Sequence, residues 1–401
     1  MQYYFDHNAT TPVTAGVLEA MLPFFGTEYG NASSIHRFGQ RARAAVERAR
    51  AQVATLLHCD PAELVLTGGG TEADNMAILG TVRAGLRKSK HVITTAIEHP
   101  AVLRTCQALG RGGVAVSYLP VDSMGFLDPN EVRKALRPET VLISIMHANN
   151  EIGTVQPLEE IAAIAREAGV VFHTDAVQST GKIPVDVKRL GVDLLSLSAH
   201  KFYGPKGVGA LYVRKGVPVH PIMFGGHDER DPRPGTTNVA GIVGLGAAAQ
   251  LAAANMAVES RRLGGLRDRL EREVLARVKD AGVNGSRLGH KDGRFRRVPN
   301  TTNFYFDFIE AESLVIALDL QGIACSTGSA CAAGAVEPSH VLTAIGLPAE
   351  RARASIRLSL GRLNTETSVD VLLATLPGVV ERLRALSPRT PAKVGASQQS
   401  K

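Results

Sequence analysis

The chain has 401 residues, 44% hydrophobic and 21% charged, with a formal charge of +7 and four cysteines, Cys59, Cys106, Cys325 and Cys331. The length suits roughly two to three domains, and the balance of residues is ordinary for a globular protein. So few cysteines, with no CxxC pair, exclude a disulfide framework and argue against a zinc or iron–sulfur site built within the chain.

The basic residues are scattered, as in 37–50 and 261–272, and interleaved with Glu and Ala. They read as solvated helix faces, so no stable nucleic-acid binding is expected, although acidic partner proteins would be attracted locally. No apolar stretch approaches the ~20 residues of a membrane helix. The N-terminus Met1-Gln2-Tyr3-Tyr4-Phe5-Asp6 has neither a signal-peptide core nor an Arg-rich transit segment, so a cytoplasmic location is expected.

From about residue 60 to 215, short apolar runs alternate with helical patterns. The runs are 64–66, 91–94, 114–116, 141–145, 170–172, 194–197 and 208–212. This rhythm predicts an α/β fold with a mostly parallel sheet between helices. Residues 240–282 read as a long Ala/Leu-rich helix. A strand over 301–308, a helix over 311–320 and a strand over 355–360 then predict a smaller α+β unit. The expected division is an N-terminal segment 1–15 packing with the small domain, a large domain 16–260, a small domain 261–386, and a disordered tail 387–401 rich in Pro, Ser, Gln and Lys.

Ligands in such sheets bind at the C-terminal strand ends, where polar residues collect. Thr67-Gly68-Gly69-Gly70-Thr71-Glu72 follows a strand and opens a helix, which suits an anion. Asp175 ends one apolar run. Lys201 follows another and is backed by Phe202-Tyr203-Gly204-Pro205. A lysine amine and a carboxylate so placed are the two groups that pyridoxal 5'-phosphate (PLP) needs, one to form a Schiff base and one to keep the ring nitrogen protonated. His99, His147, His173 and His200 lie on different strand ends without His-x-x-x-His spacing, so no metal is expected. The segment 324–338 carries almost no bulky side chain beyond Cys325 and Cys331, which predicts a mobile loop presenting a thiol.

Ordered motifs along nearly the whole chain resemble the cysteine desulfurases of the class V branch of fold-type I PLP enzymes. They include Tyr4-Phe5-Asp6-His7-Asn8-Ala9-Thr10-Thr11-Pro12, Gly30-Asn31-Ala32-Ser33-Ser34-Ile35-His36, Thr71-Glu72-Ala73-Asp74-Asn75 and Glu98-His99-Pro100. Asn149-Asn150-Glu151, Asp175-Ala176-Val177-Gln178, His200-Lys201-Phe202-Tyr203-Gly204, Gly328-Ser329-Ala330-Cys331 and Ile356-Arg357-Leu358-Ser359 continue the series. The loop around Cys331 is similar to that of the long-loop, NifS/IscS-like group.

The resemblance implies that Lys201 holds PLP and moves protons, while Asp175 pairs with the ring nitrogen. Gln178 and Asn150 would bond the ring oxygen or the substrate. Gly70, Thr71, Ser198 and His200 would hold the phosphate, His99 would stack on the ring as acid/base, and Arg357 would clamp the substrate carboxylate. It further implies that L-cysteine becomes L-alanine, with sulfur held as a persulfide on Cys331 for an acceptor or iron–sulfur scaffold protein, or for tRNA thiolation. The family forms homodimers, in which Thr236 would reach the partner's PLP phosphate. Asp228 and Asp231 depart from the usual uncharged residues there and would repel a phosphate unless Arg230 or Arg233 screens them. Two short blocks, 98–102 and 172–178, look nearer the nitrogen-fixation type. Competing readings are a PLP aminotransferase or selenocysteine lyase, and a non-catalytic iron–sulfur assembly partner.

Overall fold

The computed structural model describes residues 2–86, 88–226, 233–287, 289–291, 293–327 and 338–387. Its centre is a seven-stranded sheet of β1 (Leu64–Thr67), β2 (His91–Thr95), β3 (Ala115–Leu119), β4 (Thr140–Ser144), β5 (Val171–Asp175), β6 (Leu194–Ser198) and β7 (Gly209–Val213), in the order β1-β7-β6-β5-β4-β2-β3. Strands β3, β2, β4, β5 and β6 pair in parallel, and β7 runs antiparallel to both β6 and β1. Every residue of β1, β2 and β6 is buried, as expected for strands covered on both faces. The parallel strands therefore deliver their C-terminal ends to one edge.

Each sequence run is a strand, with boundaries shifted by up to three residues. The run 170–172, for instance, becomes Val171–Asp175, because His173 and Thr174 are fully buried despite being polar.

A three-stranded antiparallel sheet orders Ser355–Ser359, Thr301–Phe306 and Ala281–Val283. Its apolar face packs with Phe5, Leu314, Leu318 and helix Glu366–Leu386 in a second core. Tyr3–Tyr4 pairs in parallel with Ile323–Ala324. The 39-residue helix Val239–Arg277 supplies both cores. Ile242, Leu245, Ala248 and Ala249 join the first, and Leu263, Leu266, Leu270 and Val274 the second. An 18-residue window of this helix is apolar enough to cross a membrane, with mean hydropathy 1.5, and half of that window is buried inside the protein. Its Ala/Gly-rich first half packs on helix Arg37–Leu57, as shown by Gly246, where an added Cβ would lie 2.5 Å from the Ala49 Cα.

Cys106 is fully buried on helix Pro100–Arg111, as its helical pattern predicts. Cys331, Gly328 and the rest of 328–337 lie outside the described residues, as do Asp228, Arg230, Asp231 and the tail from 388.

Candidate active site

The ends of β5 and β6 carry Asp175, Ser198 and, one turn on, His200 and Lys201, at one edge of the sheet. Lys201 follows β6 in a short 3-10 turn, Ala199–Lys201. Its Nζ donates to the carbonyls of Asn8 (2.7 Å) and Ala9 (2.8 Å). Burial and, next, the Arg357 charge bring its pKa down to about 8, against the pull of Asp175 and Asp6. A substantial fraction of this amine is thus neutral, and so nucleophilic, near neutral pH.

Asp175 ends β5 and is 5% exposed. Its Oδ1 accepts the Val177 N–H at 2.9 Å, and it makes no ion pair among the described residues. Burial raises its pKa, while His99, the Val177 N–H and Lys201 oppose that rise. A buried carboxylate in this state suits a cationic N–H partner such as a pyridinium.

Helix Gly70–Ala84 begins after Gly69 (φ +147°) with no capping side chain. Gly69 is the cap residue, and Thr71 lies inside the first turn. A Cβ on Gly70 would stand 2.7 Å from Val177 Cγ2 and 3.5 Å from Ser198 Cβ, so the helix start presses onto the ends of β5 and β6. An uncapped N-terminus in that position suits a phosphate. Ser198 is buried beside it, and His200 Nδ1 pairs with Thr10 Oγ1 at 3.1 Å. Glu72 accepts from Gly68 N–H (2.8 Å) and Arg233 Nε (2.8 Å), which ties the turn to the chain beyond 232. Thr236 is exposed. The lysine, carboxylate and helix start together fit PLP.

His99 caps helix Pro100–Arg111, its Nδ1 accepting the Ala101 N–H at 3.1 Å. That bond places the proton of the neutral ring on Nε2. Burial lowers its pKa most, and Lys201 and His340 lower it further against Asp175. Helix capping and a role as a neutral donor or acceptor are compatible in one side chain.

Gln178 turns both ends of its amide inward, donating Nε2 to Asn8 O (3.0 Å) and accepting Lys182 Nζ at Oε1 (2.6 Å). Asn150 offers its backbone carbonyl to Asn8 Nδ2 (3.0 Å) and Arg357 Nη1 (3.1 Å).

Arg357, 2% exposed on strand Ser355–Ser359, also donates Nη2 to Asp6 Oδ1 at 2.7 Å. Its Nε is buried without a partner among the described residues, which leaves one donor open to an anion. The backbone of Arg357 exchanges both hydrogen bonds with Ser326, five positions before Cys331 in the chain.

Sequence reasoning assigned no role to Asp6, Asn8, Lys182 or Glu98. Asn8 joins the site together, since its side chain also accepts from Lys182 (2.8 Å) and Asn300 (3.1 Å). Asp6, Asn8 and Glu98 were visible as members of motif blocks, but their partners lie too far along the chain for spacing to reveal.

Glu98 is fully buried. Thr95 Oγ1 and Met146 N–H bond its Oε1 (2.7 and 2.9 Å), and Oε2 has no partner among the described residues. Burial pushes its pKa up to about 8. It therefore binds a proton on folding, and its contribution to stability is lost as pH rises through about 8. The buried histidines act in the opposite sense. His7 and His147, lowered to about 4, and His173, lowered to about 3, favour folding as pH rises through that range towards ~6.5. Glu98 by itself thus makes stability fall with pH between roughly 6.5 and 8, and Glu98→Gln should make the slope in that window more positive by up to about 1.4 kcal/mol per pH unit. Denaturant melts across this window check it; an unchanged slope would show Glu98 ionised in the folded protein.

The aminotransferase class-V family matches residues 3–372, and the chain belongs to it. Members of this family use PLP. The chain is 51% identical over 387 residues to cysteine desulfurase IscS of Dictyoglomus turgidum, covering 96% of each. Among solved structures it is similar to a NifS-like protein, with TM-score 0.88, 38% identity, and coverage of 96% of this chain and 100% of that one. It is also similar to a structure described as SspA in complex with cysteine, with TM-score 0.78, 38% identity, and coverage of 90% and 99%. The architecture is that of fold-type I PLP enzymes.

Proposed function

We propose that this chain is a PLP-dependent cysteine desulfurase that converts L-cysteine to L-alanine and passes the sulfur through Cys331 to an acceptor for iron–sulfur cluster assembly or tRNA thiolation. The observation that carries the reading is the Lys201 amine, brought down to about 8 and sharing its charged surroundings with Asp175 and Arg357. The desulfurase relative at 51% identity gives the same direction.

Lys201 would hold the cofactor through Nζ, Asp175 would accept the ring N–H, and Gly70, Thr71, Ser198 and His200 would surround the phosphate. The bound cofactor supplies an electron sink that makes the Cα–H and then the C–S bond of cysteine breakable. Arg357 binds the substrate carboxylate through the edge that carries Nε. Lys201, once released, takes the Cα proton, and His99 moves a proton through Nε2. Cys331, as thiolate, attacks the substrate sulfur. An S–S bond forms, the C–S bond breaks, and its electron pair stays with carbon, which is protonated on the way to alanine.

The purified chain, supplied with PLP, cysteine and a thiol reductant, should release alanine and sulfide in equal amounts; transfer of the amino group to a keto acid instead would favour the aminotransferase reading. Arg357→Lys loses the planar fork. Loss of one charged hydrogen bond, about 1.5–3 kcal/mol, should raise KM for cysteine roughly 10- to 100-fold. Steady-state kinetics decide this, and an unchanged KM would move the carboxylate site away from Arg357.

A further inference from the structure

Asp74 sits on helix Gly70–Ala84 and is 1% exposed. One carboxylate oxygen each from Asp74 and Asp175 and a ring nitrogen of His99 fall within 4.8 Å of one another. The Asp74 Oδ1 is buried with no hydrogen-bond partner among the described residues. The nearest basic atom to it is His173 Nε2 at 3.7 Å. That ring, bonded to Ser144 Oγ (2.8 Å) and Ser196 Oγ (3.0 Å), brings no charge, because burial brings its pKa down to about 3.

The charged and titratable groups around the pair are unevenly shared. Asp175 has the Val177 N–H, and His99 and Lys201 both favour its charged form. Asp74 has a hydrogen bond from Ser196 in its favour, but burial, Asp175 and Glu98 all oppose its ionisation. Two carboxylates this close in a dry interior do not both ionise cheaply. The proton goes to the one whose charged neighbours are acidic, Asp74, and not to the one facing Lys201 and His99.

We propose that Asp74 is a positioning residue that carries the proton of this carboxylate pair and so leaves the negative charge on Asp175, where the cofactor's ring nitrogen needs it. The purpose assigned to that charge rests on the PLP reading; the location of the proton does not. An ionised Asp74 would drive a proton onto Asp175 and remove the charge that holds the ring nitrogen protonated. The pairing thus makes a buried acid on the phosphate-turn helix part of the electronic control of the site.

The test is infrared spectroscopy of the full-length protein at pH 7, without cofactor and again after adding PLP, with aspartate ¹³C-labelled at the side-chain carboxyl. The label separates aspartic acid from any protonated glutamic acid, such as Glu98. The expected result is a carboxylic-acid C=O band in the unsubstituted protein that shifts with the label and is lost in Asp74→Asn. Absence of any label-sensitive acid band overturns the proposal, and that measurement needs no variant to fold. A band that persists in Asp74→Asn belongs to Asp175 and also overturns it. Failure of the PLP reading has a different signature: no visible absorbance develops on adding PLP, while the band in the cofactor-free protein stands.

Discussion

Lys201→Ala should leave no pyridoxal-derived label on the chain after borohydride treatment, and alanine formation should fall by about 10²- to 10⁴-fold, the range for loss of a positioned proton-transfer group. The geometry explains why no neighbour would substitute. The amine is held by the Asn8 and Ala9 carbonyls at the end of β6. A second amine at the site, Lys182, is tied to the side-chain oxygens of Asn8 and Gln178 at 2.8 and 2.6 Å. Burial depresses the pKa of Lys182 strongly as well, so low basicity alone does not select the attachment point. Position does, since Arg357 acts on both amines but Asp175 acts on the Lys201 charge. Mass spectrometry of the reduced protein checks the outcome. A label of undiminished yield in Lys201→Ala, mapped to Lys182, would move the attachment there and overturn the assignment of the site.

Cys331→Ser should retain the visible spectrum of bound PLP and lose alanine formation from cysteine down to background. A hydroxyl is a poor nucleophile towards sulfur, and only a thiol can end the step as a persulfide. The remaining cysteines offer no bypass. Burial raises each of Cys59, Cys106 and Cys325 to about 12, which leaves roughly one thiolate in 10⁵ at neutral pH. Normal turnover in Cys331→Ser, measured as alanine released, would remove the sulfur-carrier role. Loss of the cofactor spectrum in the same variant would instead show that the residue shapes the PLP site.

The sheet was legible from sequence because its strands are buried on both faces and so read as continuous apolar runs. Lys201 and Asp175 were legible for a related reason, since each lies within four residues after such a run. The hydrogen-bond economy of the site was not. Asp6 meets Arg357 and Asn8 meets Asn300 and Thr301 across most of the chain's length, and no local periodicity records those pairings. Gln178 was expected to bond the ring oxygen or the substrate; that its amide also bonds Asn8 and Lys182 left no mark in the sequence. The same block that shows a histidine before a helix gives no sign that His99 spends Nδ1 on capping, which decides where its proton sits.

The helix Val239–Arg277 has one more consequence. Because its first turns belong to one apolar interior and its later turns to the other, neither interior can melt while the other persists without exposing half of a shared rod. Heat should therefore take the chain apart in a single calorimetric step, with calorimetric and van't Hoff enthalpies agreeing. Damage to the distal half of that rod would be felt at the cofactor end as lost order.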